Sequence, residues 1–250
     1  MAKQNVFHFL KAAENRAVAS VFLAVSVVFG AWITRLPEIQ NNLGISDGAL
    51  GSALFFLPLG AVTLLPFYSK IIYGLGERRA TLLGLTVLLL AAIVPGYLTQ
   101  YTVLLLNFYI IGLAIGLTDV AMNAVAANIE QKSGKSIMGM CHGFFSLGGM
   151  LGAVIAAAFI AIDWTLPGQM WVVCLLLLAF VFWQRNALLN AEAPELSKGF
   201  HFPPKAVILL ALVGLCIMMV EGGITDWSTI YLKREMGMAA RYAGLGFAGF

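Results

Sequence analysis

The sequence is 250 residues long, 60% hydrophobic and 11% charged, with a formal charge of +3 and a mean hydropathy of +0.90. Soluble chains are about half apolar and about a quarter charged, so this balance excludes a water-soluble globular domain, and the small positive charge reflects loop composition rather than a nucleic-acid partner. The expectation is an all-α protein whose partners include a lipid bilayer.

Residues 1–16 carry Lys3, Lys11 and Arg16 and are expected to form a polar N-terminus. The first uncharged run, Ala17 to Thr34, is too long for the apolar core of a signal peptide and lacks a small-x-small cleavage site before Arg35, so it reads as a retained first span. Gly48 to Ser69 supplies the second. Ala80 to Thr118 is long enough for two of the roughly 20-residue helices that a bilayer requires. Pro95-Gly96, followed by Gln100, divides it into a hairpin.

Ser136 to Ile162 and Trp164 to Gln184 are the fifth and sixth spans. The charged stretch from Arg185 to Lys205, with Pro194, Pro203 and Pro204, reads as a linker. Ala206 to Val220 reaches spanning length only by running past Glu221, and an eighth span begins near Ala239. The expected domains are therefore a six-helix bundle over 17–185, a cytoplasmic linker over 186–205, and the start of a second bundle over 206–250.

With the N-terminus in the cytoplasm, all but Arg35, Lys233, Arg234 and Arg241 of the 15 Lys and Arg residues fall on the cytoplasmic side. This matches the positive-inside rule, and Trp32, Trp164, Trp171 and Trp227 then fall near the outer interface as an aromatic belt. Cys141, Cys174 and Cys216 lie within spans and lack metal-ligand spacing, so neither a disulfide framework nor a metal or other cofactor is expected.

The stretch from Ile33 can be laid beside the stretch from Ile224. Ile33-Thr34-Arg35 aligns with Ile224-Thr225-Asp226, and Leu43-Gly44-Ile45 with Met236-Gly237-Met238. Such a parallel repeat is found in transporters built from two six-helix halves, the competing explanation being chance similarity between two helix ends. On the repeat reading the chain is truncated within its eighth span, and Arg35 and Asp226 hold equivalent positions at the outer ends of spans one and seven. Their opposite charges suggest an outer-gate ion pair, against the alternative of two interfacial charges reaching into water.

On the fourth span Gly112, Gly116, Asp119, Asn123 and Ala127 form one helical stripe, and on the fifth Gly139, His142, Ser146, Gly149 and Ala153 form another. An antiparallel hairpin of these spans would set Asn123 level with His142 and Asp119 level with Ser146. The Gly-x-x-x-Gly pairs at Gly112/Gly116, Gly139/Gly143 and Gly148/Gly152 read as packing seams. Asp119 is an ionisable group inside a span, a placement that marks a proton or solute path, the alternative being a hydrogen-bonded Asp that fixes packing. His142 is as readily a satisfied packing histidine as a ligand. Glu221, with Thr225 and Ser228 on its face, is a second intramembrane acid and a candidate for the same pathway.

These residues resemble the major facilitator superfamily, and within it the bacterial branch that includes the fucose/proton symporter and many uncharacterised inner-membrane relatives. The family's cytoplasmic G-x-x-x-D-R-x-G-R-R loop is similar to Ser69 to Arg79, SKIIYGLGERR: Gly76 and Arg78 fit, Arg79 follows, and Tyr73-Gly74 replaces the Asp-Arg pair. Asp119-Val120-Ala121-Met122-Asn123 resembles the symporter's acid-T-A-A-N, and His142-Gly143-Phe144-Phe145-Ser146-Leu147-Gly148 resembles its Q-x-F-x-S-x-G. Its sugar-binding acid on the first span is absent from Trp32 to Pro37, which argues against fucose itself.

The resemblance implies a major facilitator fold and a multi-pass protein of the bacterial inner membrane with a cytoplasmic N-terminus, monomeric at full length. It implies proton-coupled symport of a small, sugar-like polar solute by alternating access, with H+ as the coupling partner and Asp119 as the protonatable site. The competing function is drug or metabolite efflux by proton antiport. Catalysis is not expected, because Ser146 and His142 share one helix and no G-x-S-x-G surrounds the serine.

Overall fold

A computed structural model describes residues 6–189 and 204–243, apart from the Arg241 side chain. The expected linker falls largely outside the described residues, and so does the expected eighth span beyond Ala243. The described residues form α1 (Val6–Lys11), α2 (Ala13–Ile33), α3 (Leu36–Leu43), α4 (Asp47–Leu64), α5 (Tyr68–Leu75), α6 (Glu77–Ile93), α7 (Tyr101–Ser133), α8 (Met138–Ala161), α9 (Leu166–Gln184), α10 (Lys205–Arg234) and α11 (Ala240–Ala243). Seven stretches among them are long and apolar enough to cross a membrane, as the hydropathy runs predict.

The punctuation of the chain is local chemistry. A 3-10 turn at Val94–Tyr97, containing Pro95, closes the hairpin between α6 and α7. The second span is not one helix: a 3-10 turn containing Pro66, over Leu65–Phe67, separates α4 from α5, since proline removes a helical donor and clashes with the preceding turn. The short α3, unforeseen in the sequence, has Pro37 in its first turn and ends on Gly44 with φ +62°. Gly237, after the end of α10, has φ +64°, so the aligned glycines of the proposed repeat share the left-handed conformation that glycine alone adopts without cost.

α2 lies at the centre, buried nearly all round and packed against α8, α9, α7 and α6. A helix apolar on every face belongs there. α4 and α6 flank α7, and α6 also meets α9, so the first six spans close into one bundle. Trp32 departs from the belt expected of it: it is 4% exposed and meets Phe108 edge to face with ring centroids 5.1 Å apart.

Two of the three predicted glycine seams form. A Cβ at Gly112 would strike the Leu57 carbonyl of α4, and one at Gly148 or Gly152 would strike the α2 backbone at Leu23 or Val27. Open space surrounds Gly139 and Gly143 instead. The expected face-to-face pairing of the fourth and fifth spans is corrected in the same way: α8 packs mainly against α2 rather than α7. Both stripes are buried in their glycine-rich portions and open toward the α7–α8 turn, where Asp119, Ala127, Gly139, His142 and Ser146 are exposed.

Candidate functional site

The seam between α4 and α7 determines where Asp119 emerges. Gly112 and Gly116 press α7 onto α4 and the Tyr68 side chain, and Tyr68 is held by donating from its hydroxyl to the Ala61 carbonyl at 2.8 Å. Just past that seam Asp119 is exposed. Asn123, one turn on, donates through Nδ2 to the Asp119 carbonyl at 2.9 Å and to Asp119 Oδ1 at 3.1 Å. His142 meets Phe22 edge to face with centroids 5.3 Å apart.

Asp119 lines a cavity of about 560 Å³. Its walls come from α2 (Val25, Phe29), α4 (Gly51, Leu54, Phe55, Pro58), α7 (Gly112, Ile115, Asp119), α8 (Phe145) and α10 (Met218, Glu221, Gly222, Thr225, Asp226, Trp227). Asp119, Glu221 and Asp226, all singled out in the sequence, thus meet in one space. Asn123 reaches it through Asp119, whereas His142 and Ser146 are not among its lining residues.

The proposed Arg35–Asp226 pair is not formed. Arg35 is 4% exposed; it donates through Nε to Gln169 Oε1 at 2.9 Å and through Nη2 to the Trp164 carbonyl at 2.6 Å. Its Nη1 pairs with Glu38 Oε2 at 2.5 Å. A guanidinium has its donors fixed in a planar fork, and here the fork binds α2 to α9 and α3. Asp226 faces the cavity instead.

The ion pair that does join the start of the second bundle to the first was not foreseen. Arg234 Nη1 lies 2.5 Å from Asp47 Oδ1, Arg234 Nη2 donates to Gln40 Oε1 at 2.8 Å, and Gln40 Nε2 donates to Asp47 Oδ1 at 2.7 Å. Asp47 opens α4, and Ser46 caps that helix by accepting from the Ala49 amide at 3.2 Å. The one available signal was a cation in the last turn of a long span.

At the opposite end, Gly76 adopts φ +78° ahead of α6, and Arg78 Nη2 donates to Asn186 Oδ1 at 2.7 Å. Arg79 is exposed. Glu77, standing where the resembled loop has an arginine, is 1% exposed and accepts from Asn128 Nδ2 at 2.6 Å. Glu130 Oε1 accepts from the amides of Ile137 and Met138 and from Ser136 Oγ. It thereby satisfies orphan donors where α8 begins.

The model of the Major Facilitator Superfamily matches residues 17–250. The chain is 28% identical to an uncharacterised MFS-type transporter of Yersinia pestis over 231 residues, covering 92% of this chain and 60% of that protein. It is 27% identical to the uncharacterised transporter y4wD of Sinorhizobium fredii (94% and 63% covered) and 25% identical to the membrane protein MosC of Rhizobium meliloti (94% and 58% covered). It therefore spans about three-fifths of the length of these relatives. The fold is similar to the crystal structure of the nucleoside transporter NupG, with a TM-score of 0.66 at 14% identity, over 93% of this chain and 62% of that one.

Proposed function

The chain belongs to the Major Facilitator Superfamily, and on that premise we propose that the protein is a secondary active transporter coupling a small polar, sugar-like solute to a proton. The observation that carries this reading is the exposed Asp119 carboxyl in a cavity walled by both α7 and α10. An ionisable side chain in a span is costly unless it faces water or a partner. Here its side-chain partner is Asn123, which bonds one carboxylate oxygen and leaves the other for a proton or solute.

In the proposed cycle the first six spans move as one body against the unit that α10 begins. The Arg234–Asp47–Gln40 cluster holds the ends together at the side where α2 finishes, so this conformation is read as closed outside. Loading a proton on Asp119 loosens its hold on Asn123 and prepares the cavity for exchange. The basic loops support an orientation with the N-terminus and the Gly76-Glu77-Arg78-Arg79 turn in the cytoplasm, and the reading takes a monomer in a bacterial inner membrane as the working unit. The largely apolar wall favours one second reading, proton antiport of an apolar drug or metabolite through the same residues.

The full-length protein in proteoliposomes tests the reading. A labelled sugar and nucleoside panel should accumulate under an inward proton gradient, and Asp119→Asn should abolish gradient-driven accumulation while leaving counterflow exchange. Unchanged coupling in that variant would remove Asp119 from the mechanism. Dye efflux against the proton gradient with no solute uptake would select antiport.

A further inference from the structure

Three carboxylates, those of Asp119, Glu221 and Asp226, face the cavity, and among the described residues no Lys or Arg lines it. Neither neighbouring arginine is available to neutralise them. Arg35 is bonded to Gln169, Glu38 and the Trp164 carbonyl, and Arg234 to Asp47 and Gln40. A low-dielectric chamber lined by one sign of charge concentrates its field and selects solutes of the opposite sign. Among the described residues an anion would meet repulsion with no paired lysine or arginine to offset it.

Thr225 supplies an independent observation. It is 8% exposed and lines the cavity beside Asp226, and no hydrogen-bond partner satisfies its hydroxyl among the described residues. In a side chain otherwise nine-tenths buried, that unpartnered hydroxyl is free to bond to something in the cavity. The opposing wall carries Phe29 and Phe145, with Trp227 on α10 itself. Aromatic faces attract cations and lie flat against rings.

We infer that the solute is an organic cation, a protonated amine on a ring-bearing body. Glu221 and Asp226 receive the ammonium group, the Thr225 hydroxyl accepts one of its N–H donors, and the ring lies against Phe29, Phe145 and Trp227. Asp119 is left for the coupling proton. This assignment rests on the transport reading above and adds the charge of the solute.

Two matched sets of probes test it on the full-length protein in nanodiscs, by equilibrium binding at constant pH: tryptamine, tryptophol and indole-3-acetate, and glucosamine, glucose and glucuronate. Within each set the ring is shared and the charge differs. The amine of at least one set should bind about tenfold or more tightly than its neutral partner, as charge-assisted bonds do, and the acid most weakly. Glu221→Gln combined with Asp226→Asn should erase that advantage, and Thr225→Val should reduce it. Equal binding of amine and neutral partner, preference for the acid, or binding by none of the six would overturn the assignment, and this comparison needs no variant to fold. Proton-driven uptake is measured separately. Amine binding without proton drive would leave the charge assignment and remove the coupling, whereas proton-driven uptake of glucose with no preference for glucosamine would do the reverse.

Discussion

Arg234 and Asp47, 187 residues apart in the chain, meet at 2.5 Å and join the end of α10 to the start of α4. Gln40 bonds to both, closing a three-residue cluster at one end of the bundle. Both ionic side chains are partly solvated, and exposed pairs contribute little to folding stability. The cluster is therefore better suited to setting the balance between conformers than to holding the fold.

Charge reversal separates these roles. Arg234→Asp or Asp47→Arg alone should shift the protein toward an outward-facing state and lower transport, with little change in melting temperature. The double reversal should recover transport. The check is uptake together with labelling of an introduced outer-end cysteine by an impermeant maleimide. Failure of the double reversal to recover either readout would count against the latch.

Arg35 should behave in the opposite way. Arg35→Ala strands the buried Gln169 and the Trp164 carbonyl, and removing one partner of a buried charged network costs about 3–5 kcal/mol. The variant should melt well below the wild type in detergent, and Asp226→Ala should not reproduce that loss. Arg35→Lys should recover little of it, because a lysine cannot serve partners in three directions with a planar fork.

The glycine seams give a paired comparison. Gly112→Ala drives a methyl group into the Leu57 carbonyl, and overpacking of this kind costs about 1–3 kcal/mol. Gly143→Ala meets open space and should be neutral or stabilising by up to about 1 kcal/mol, since alanine is the better helix former. Thermal unfolding of the two variants checks the contrast. Equal effects would mean that the helices do not approach as closely as described.

Asn123→Ala should leave Asp119 in place while removing the Nδ2 donor that holds its carboxylate. The expected outcome is retained transport with a shifted pH profile, measured as initial uptake rate against external pH. Asp119→Asn should instead flatten that profile. An Asn123→Ala profile that coincides with the wild type would assign the asparagine to packing.

Much of this was legible in the sequence because hydropathy runs and helix punctuation are local properties. The spans, the Pro95 hairpin and the intramembrane position of Asp119 need no knowledge of partners, and the Gly44 and Gly237 match depends on a backbone conformation that each glycine adopts by itself. Partner choice is not local. Arg35 was assigned to Asp226 by repeat symmetry, yet its donors are taken by Gln169, 134 residues away, by the Trp164 carbonyl and by Glu38. The equal-depth pairing of the two stripes assumed that hairpin neighbours pack face to face. The bulk of α8 goes to α2 instead, because glycines 148 and 152 let those two backbones touch.

α10 buries Thr225, Thr229 and Ile230, all near one end, and leaves its other end exposed. Held at the Arg234 end by Asp47 and Gln40, the helix would act in the proposed cycle as a lever with its fulcrum there. From Thr229 to Lys205 the arm is about 36 Å long at about 1.5 Å per residue, so a tilt of about 10° would sweep the far tip through about 6 Å. Small angular adjustments around Thr229 would thus be magnified into a passage wide enough for a solute, without breaking the grip at the pivot.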